Sequence, residues 1–184
     1  MDLGDIQANY PAIDAASKDM LALFGPGYTG RPQGHIETDI AGAASMAGLM
    51  ILRSKISDLS QFTTGTVILM DIEEDMNLLW EFLMVVAYNL GLAKGGWDAK
   101  VPQEHKPLYP VQDMTRKLEK DFYGVCEKHE TAKEYYRFVA ALTALKLVSA
   151  GDRMKMLDQG IGKPLAAYHV VAGAKTVPYP LDAK

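Results

Sequence analysis

The stretch from Met76 to Leu92 is the most apolar in the chain, and its pattern admits little besides a helix. Leu79, Phe82, Leu83, Val86 and Leu90 recur at helical spacing on one face. Leu78, Trp80, Met84 and Val85 make most of the remaining circumference apolar as well. A helix that is greasy nearly all round belongs at the centre of a bundle. A membrane span needs about 20 residues nearly free of charge. This run carries Asn77, Glu81 and Asn89, so a protein core is its expected place and no membrane partner is expected. Asp71 and Glu74 resemble a capping box at its start, and Gly91 stops it.

The same rhythm recurs along the chain. Ile13, Ala16, Met20, Leu21 and Phe24 share a face between Pro11, read as a first-turn proline, and Gly25, read as a terminating glycine. A second helix is predicted over about 38–54, with a centre of small residues from Ala41 to Gly48. Small side chains let a second backbone come close, which in a soluble protein signals a tight helix crossing. A fourth helix over about 111–128 buries Met114, Leu118, Phe122 and Val125, with Asp113, Lys117 and Asp121 outside. The fifth opens on Thr131–Glu134, which reads as a capping box. It continues through Tyr135, Phe138, Val139, Leu142 and Leu145, and Gly151-Asp152 interrupts it. The last helix starts at Pro164 with Leu165, Tyr168 and Ala172.

Two segments stand apart. Thr66–Met70 is β-branched and apolar and reads as strand-like, yet no second strand candidate exists to pair with it, so a helical or irregular course is expected. Residues 97–110 form a long connection with Pro102, Pro107 and Pro110. The tail, about 176–184, should be extended, lying across the body or across a partner subunit. The expectation is all-α: one irregular bundle of about six helices in a single domain over 1–184, with one short strand-like segment near 66–70. A chain of 184 residues suits one domain, because domains cluster near about 100–200 residues.

Charge and cysteine usage exclude several classes. Nineteen Lys and Arg are scattered against 23 Asp and Glu, for a net charge of -4, so nucleic acid is not an expected partner. The single cysteine, Cys126, cannot close an internal disulfide. The opening Met-Asp-Leu-Gly-Asp-Ile lacks the basic-then-apolar order of a signal peptide. The cytoplasm is the expected location.

No short motif carries a specific chemistry. Gly25, Gly27 and Gly30 spell Gly-x-Gly-x-x-Gly, but a helix precedes them and Arg31-Pro32 follows, the reverse of a dinucleotide loop. Gly160–Lys163 leads into Pro164 where a phosphate loop needs Ser or Thr. Asp71, Glu73, Glu74 and Asp75 lack a matching acidic pair and suit a helix start. Cys126 and His129 are two ligands at most. His105 and His169 are isolated in sequence. Neither Glu-x-x-His nor Gly-x-Ser-x-Gly occurs. No cofactor, metal or catalytic residue is assigned.

One polar cluster remains. Arg31, His35, Glu37 and Asp39 fall between the glycine loop and the second helix; if that helix starts early, His35 and Asp39 share a face one turn apart, where a carboxylate could orient an imidazole. Acids in a first helical turn also simply complement its dipole. The leading expectation is a non-catalytic, self-associating interaction or assembly protein, a homo-oligomer. Its supports are the small-residue helix, the ten methionines and the aromatic-proline tail. The alternative is a small-molecule-binding protein or enzyme with Arg31, His35, Glu37 and Asp39 at the mouth of its site.

Overall fold

In the computed structural model, residues 1–180 are described. Six long helices carry the fold: α1 (Leu3–Met20), α3 (Ile36–Lys55), α4 (Glu73–Asn89), α5 (Val111–Lys128), α6 (Tyr136–Arg153) and α7 (Gln159–Lys175). A seventh, α2 (Pro26–Thr29), is a single turn. The protein is an all-α bundle, and among the described residues no strand forms. No helix among them is long and apolar enough to cross a membrane.

The centre of the bundle is α3, not α4. From Thr38 to Leu52 every residue of α3 is buried, enclosed mainly by α7 and α6, with α5 alongside. The small centre makes this possible. A β-carbon on Gly48 would overlap the carbonyl oxygen of Val170, and one on Gly173 would overlap that of Ser45. The two helices therefore touch backbone to backbone. This satisfies the predicted tight crossing, but inside the molecule. By contrast α4 packs on α6 and touches α1, leaving its outer face to solvent. The expectation of a central helix over 76–92 fails because an apolar circumference records what side chains prefer, not how many neighbours the topology provides.

Three helix starts also differ from expectation. α1 begins at Leu3, set by a reciprocal cap in which the Asp5 amide donates to Asp2 (3.0 Å) and the Asp2 amide to Asp5 (2.9 Å). Pro11 lies inside that helix, not in its first turn. α7 begins at Gln159, where Asp158 accepts from the Gly160 amide at 2.7 Å, and Pro164 again lies within the helix. The capping box at Thr131–Glu134 does not form: the Thr131 hydroxyl is buried without a partner, and a 3-10 turn over Lys133–Tyr135 leads into α6. That helix runs on through Gly151 and Asp152 to Arg153.

The strand-like segment finds its partner in the tail. Val67 and Thr176 form an isolated antiparallel bridge, flanked by Ile68 N–H to the Lys175 carbonyl (2.8 Å) and Val177 N–H to the Thr66 carbonyl (2.9 Å). Thr176 is extended, and residues 177–180 form no helix and lie on the chain's own body, with Val177 buried; 181–184 of the expected tail fall outside the described residues. The 97–110 connection is irregular apart from a turn at Gln103–His105. It is stitched down by Leu108 N–H to Thr38 Oγ1 (2.9 Å) and Tyr109 O–H to the Thr29 carbonyl (2.7 Å).

Candidate functional site

His35 caps α3, its Nδ1 accepting from the Thr38 amide at 3.3 Å. Glu37, in the first turn, lies 3.4 Å from that same Nδ1 and 2.8 Å from Nδ1 of His105. One carboxylate therefore stands between two imidazoles from segments far apart in sequence. Asp39 turns the other way and accepts from the Gly25 amide at 3.3 Å, beneath the glycine loop. Burial, opposed by that amide and reinforced by the Glu37 charge, pushes its carboxyl up to about 6. The Arg31 side chain is exposed and makes no ion pair among the described residues. Of the four sequence candidates, then, His35 and Glu37 adjoin, Asp39 faces the loop behind them and Arg31 stands out in solvent.

His105, read as isolated in sequence, completes the group. No local signal could have revealed it, because the pairing depends on the 97–110 connection folding back over α3. His105 also borders an open hollow of about 460 Å³ with Asp152 and Lys155.

The other sequence clusters are occupied structurally. Asp75 receives Arg137 from α6 and Lys55 from α3. Asp71 accepts from the Glu73 amide at 2.9 Å. His129 meets Asp19 at 2.9 Å, while Cys126 is fully buried. Among the described residues no three His, Cys, Asp or Glu side chains converge as metal ligands would.

Two features of the surface were not foreseen. The first is the outer face of α4. Met84 and Val85 are 42% and 54% exposed, Tyr88 one turn on is 71% exposed, and Leu3 and Tyr10 of α1 flank them. Hollows of about 520 Å³ and 450 Å³ lie on either side of this ridge and meet at Val85. Isolated exposed apolar residues are ordinary; a contiguous group is not. The second is a cleft between α4, the 97–107 segment and α7, walled by Trp80, Trp97 and Tyr168. Trp80, Met84 and Val85 were visible in the sequence but were assigned to a core, while Trp97 was placed in the long connection.

No family model, curated protein or solved structure matches this chain.

Proposed function

We propose that the chain is a non-catalytic interaction protein that binds a second copy of itself through the outer face of α4. One observation carries this reading: the exposed ridge of Met84, Val85 and Tyr88 between two hollows. A ridge beside a hollow suits an isologous interface, where the same patch serves both subunits. Charge supports the same occupant. Exposed Glu73, Glu74 and Glu81 mark one end of the face, and exposed Lys94 lies beyond the other. Antiparallel pairing about a two-fold axis sets the acidic end of each copy against the basic end of its mate.

Two of the earlier supports no longer contribute. The small-residue run of α3 is enclosed by α7, and the aromatic-proline tail lies on the chain's own residues 64–68. The methionines divide: Met20, Met46, Met50, Met76 and Met114 fill the core, while Met84 joins the ridge. A cytoplasmic location and the absence of a nucleic-acid partner belong to the same proposal, resting on the single cysteine and the scattered basic residues.

Light scattering across the micromolar range tests it. The expected result is a dimer mass for the wild type and a monomer mass for Val85→Glu with unchanged helical content. A wild-type monomer at high micromolar concentration overturns the reading.

A second reading places a small-molecule site at the 25–39 loop. It is favoured by Glu37 standing between His35 and His105, the last of which borders the 460 Å³ hollow. Its test is a thermal-shift panel of nucleosides, sugars and carboxylic acids. Stabilisation that Glu37→Gln abolishes supports the site, and stabilisation that survives the substitution, or none at all, removes it.

A further inference from the structure

The cleft between α4 and α7 is built differently from the rest of the surface. Its volume is about 730 Å³, within the range of small-molecule sites, roughly 300–1,000 Å³. Trp80 and Trp97 meet edge to face with centroids 5.9 Å apart. Their ring system and Tyr168 form an aromatic wall. Such walls favour flat, polarizable ligands.

The wall is held in place from behind. Lys163, buried on α7, donates to the Ala93 and Gly95 carbonyls, each at 2.7 Å, and its ammonium lies 5.8 Å from the Trp97 ring centre. Gln159 takes the Ala93 amide at 2.6 Å. These bonds fix the turn that presents Trp97, so the site needs little ordering on binding.

Two polar features give the cleft a sign. Lys100 and Lys106 stand exposed at its rim, and among the described residues neither ammonium has an ion-pair partner; one acid, Asp98, shares the lining. Deeper in, His169 is 6% exposed. Its Nδ1 lies 3.3 Å from Ser45 Oγ, which is fully buried and has no other partner among the described residues. A buried hydroxyl must place its hydrogen, so Ser45 donates to Nδ1. Burial holds the imidazole down to about 4, hence neutral near pH 7. The ring's one proton is then on Nε2, a donor with no acceptor among the described residues.

We propose that this cleft binds a planar aromatic carboxylate. The ring lies against Trp80, Trp97 and Tyr168, the carboxylate meets Lys100 and Lys106, and Nε2 of His169 donates to an oxygen reaching the floor. Met84, Val85 and Tyr88 of the α4 ridge do not line this cleft; Trp97 is the one residue it shares with the 520 Å³ hollow beside that ridge. It does not depend on self-association.

The chain has two tryptophans, and both are in the cleft wall; Trp97 also borders the 520 Å³ hollow beside the α4 ridge, so a shift of the Trp80 indole N–H resonance together with that of Trp97 is the signature of this site. The experiment titrates full-length protein with 2-naphthoate, followed by NMR of those resonances and by calorimetry, with 2-naphthamide as the uncharged comparison. The expected result is saturable 2-naphthoate binding that moves both resonances. A loss of one charge-assisted contact, about 1.4 kcal/mol, is tenfold in affinity. Binding should therefore weaken about tenfold or more for 2-naphthamide, and likewise for 2-naphthoate with Lys100→Glu/Lys106→Glu, two surface substitutions whose folding is checked by circular dichroism. Absence of saturable binding up to millimolar 2-naphthoate overturns the proposal. So does equal affinity for the amide, or undiminished affinity in the double variant.

Discussion

Gly48 of α3 and Gly173 of α7 are reciprocal notches. Each lacks the β-carbon that would collide with the other helix's backbone, at Val170 and Ser45 respectively. Overpacking a rigid core costs about 1–3 kcal/mol and more where backbone must shift, as here. Gly48→Ala and Gly173→Ala should each lower stability by at least about 2 kcal/mol in urea denaturation. Gly124 in α5 is the control. It is exposed with open space around it, so Gly124→Ala should stabilise by about 0.5–1 kcal/mol through helix propensity.

Asp39 and His169 give opposite pH dependences over one window. The Asp39 carboxyl rises from 3.8 to about 6 on folding, so the native state keeps a proton the unfolded chain releases. Stability from this group therefore falls as pH rises from about 4 to about 6, by about 2–3 kcal/mol at 1.36 kcal/mol per unit. His169 drops from 6.5 to about 4, so the unfolded chain binds the proton first and stability is lost as pH falls through that range. The two slopes oppose each other in the wild type. Asp39→Asn should leave a protein that weakens on acidification from pH 6 to 4, and His169→Gln one that strengthens. Denaturation midpoints at several pH values check the signs.

Asp75 anchors the peripheral helix. Burial raises its carboxyl, but hydrogen bonds from Lys55 and Arg137 outweigh this and hold it below the ordinary value. Asp75→Asn should leave the largely buried Arg137 guanidinium without its counter-charge and cost about 2–4 kcal/mol. Because α4 has few other attachments, hydrogen exchange in α4 should accelerate more than in α3.

Cys126 should be inert in the native protein. It is fully buried, and burial, with a smaller effect of the Glu127 charge, pushes its thiol up to about 12. A disulfide reagent such as Ellman's at pH 8 should react only as fast as the protein opens, and at once in denaturant. Rapid stoichiometric labelling of native protein would contradict that placement.

The number and kind of elements were legible in the amino acids. α5 runs from Val111 to Lys128, as its amphipathic period and Pro110 indicate, and the small centre of α3 announced a close crossing. Local rules also competed, and position alone did not rank them: Pro11 and Pro164 signalled helix starts, while Asp2–Asp5 and Asp158 in fact set them. Within the candidate polar site, helical spacing paired His35 with Asp39, one turn apart, but Asp39 accepts from the Gly25 amide and Glu37 is the carboxylate beside His35, because His35 caps the helix from outside its first turn. The pairing with His105 was not readable.

By itself the sequence determined that this chain is helical, because hydrophobic period is a property of neighbouring residues. Only the tertiary structure decided which helix is enclosed, what lies on Thr66–Val67, and that Met84, Val85 and Tyr88 remain uncovered. Those outcomes depend on which surfaces meet across long separations. Apolar spacing states a preference for burial without naming the partner that provides it.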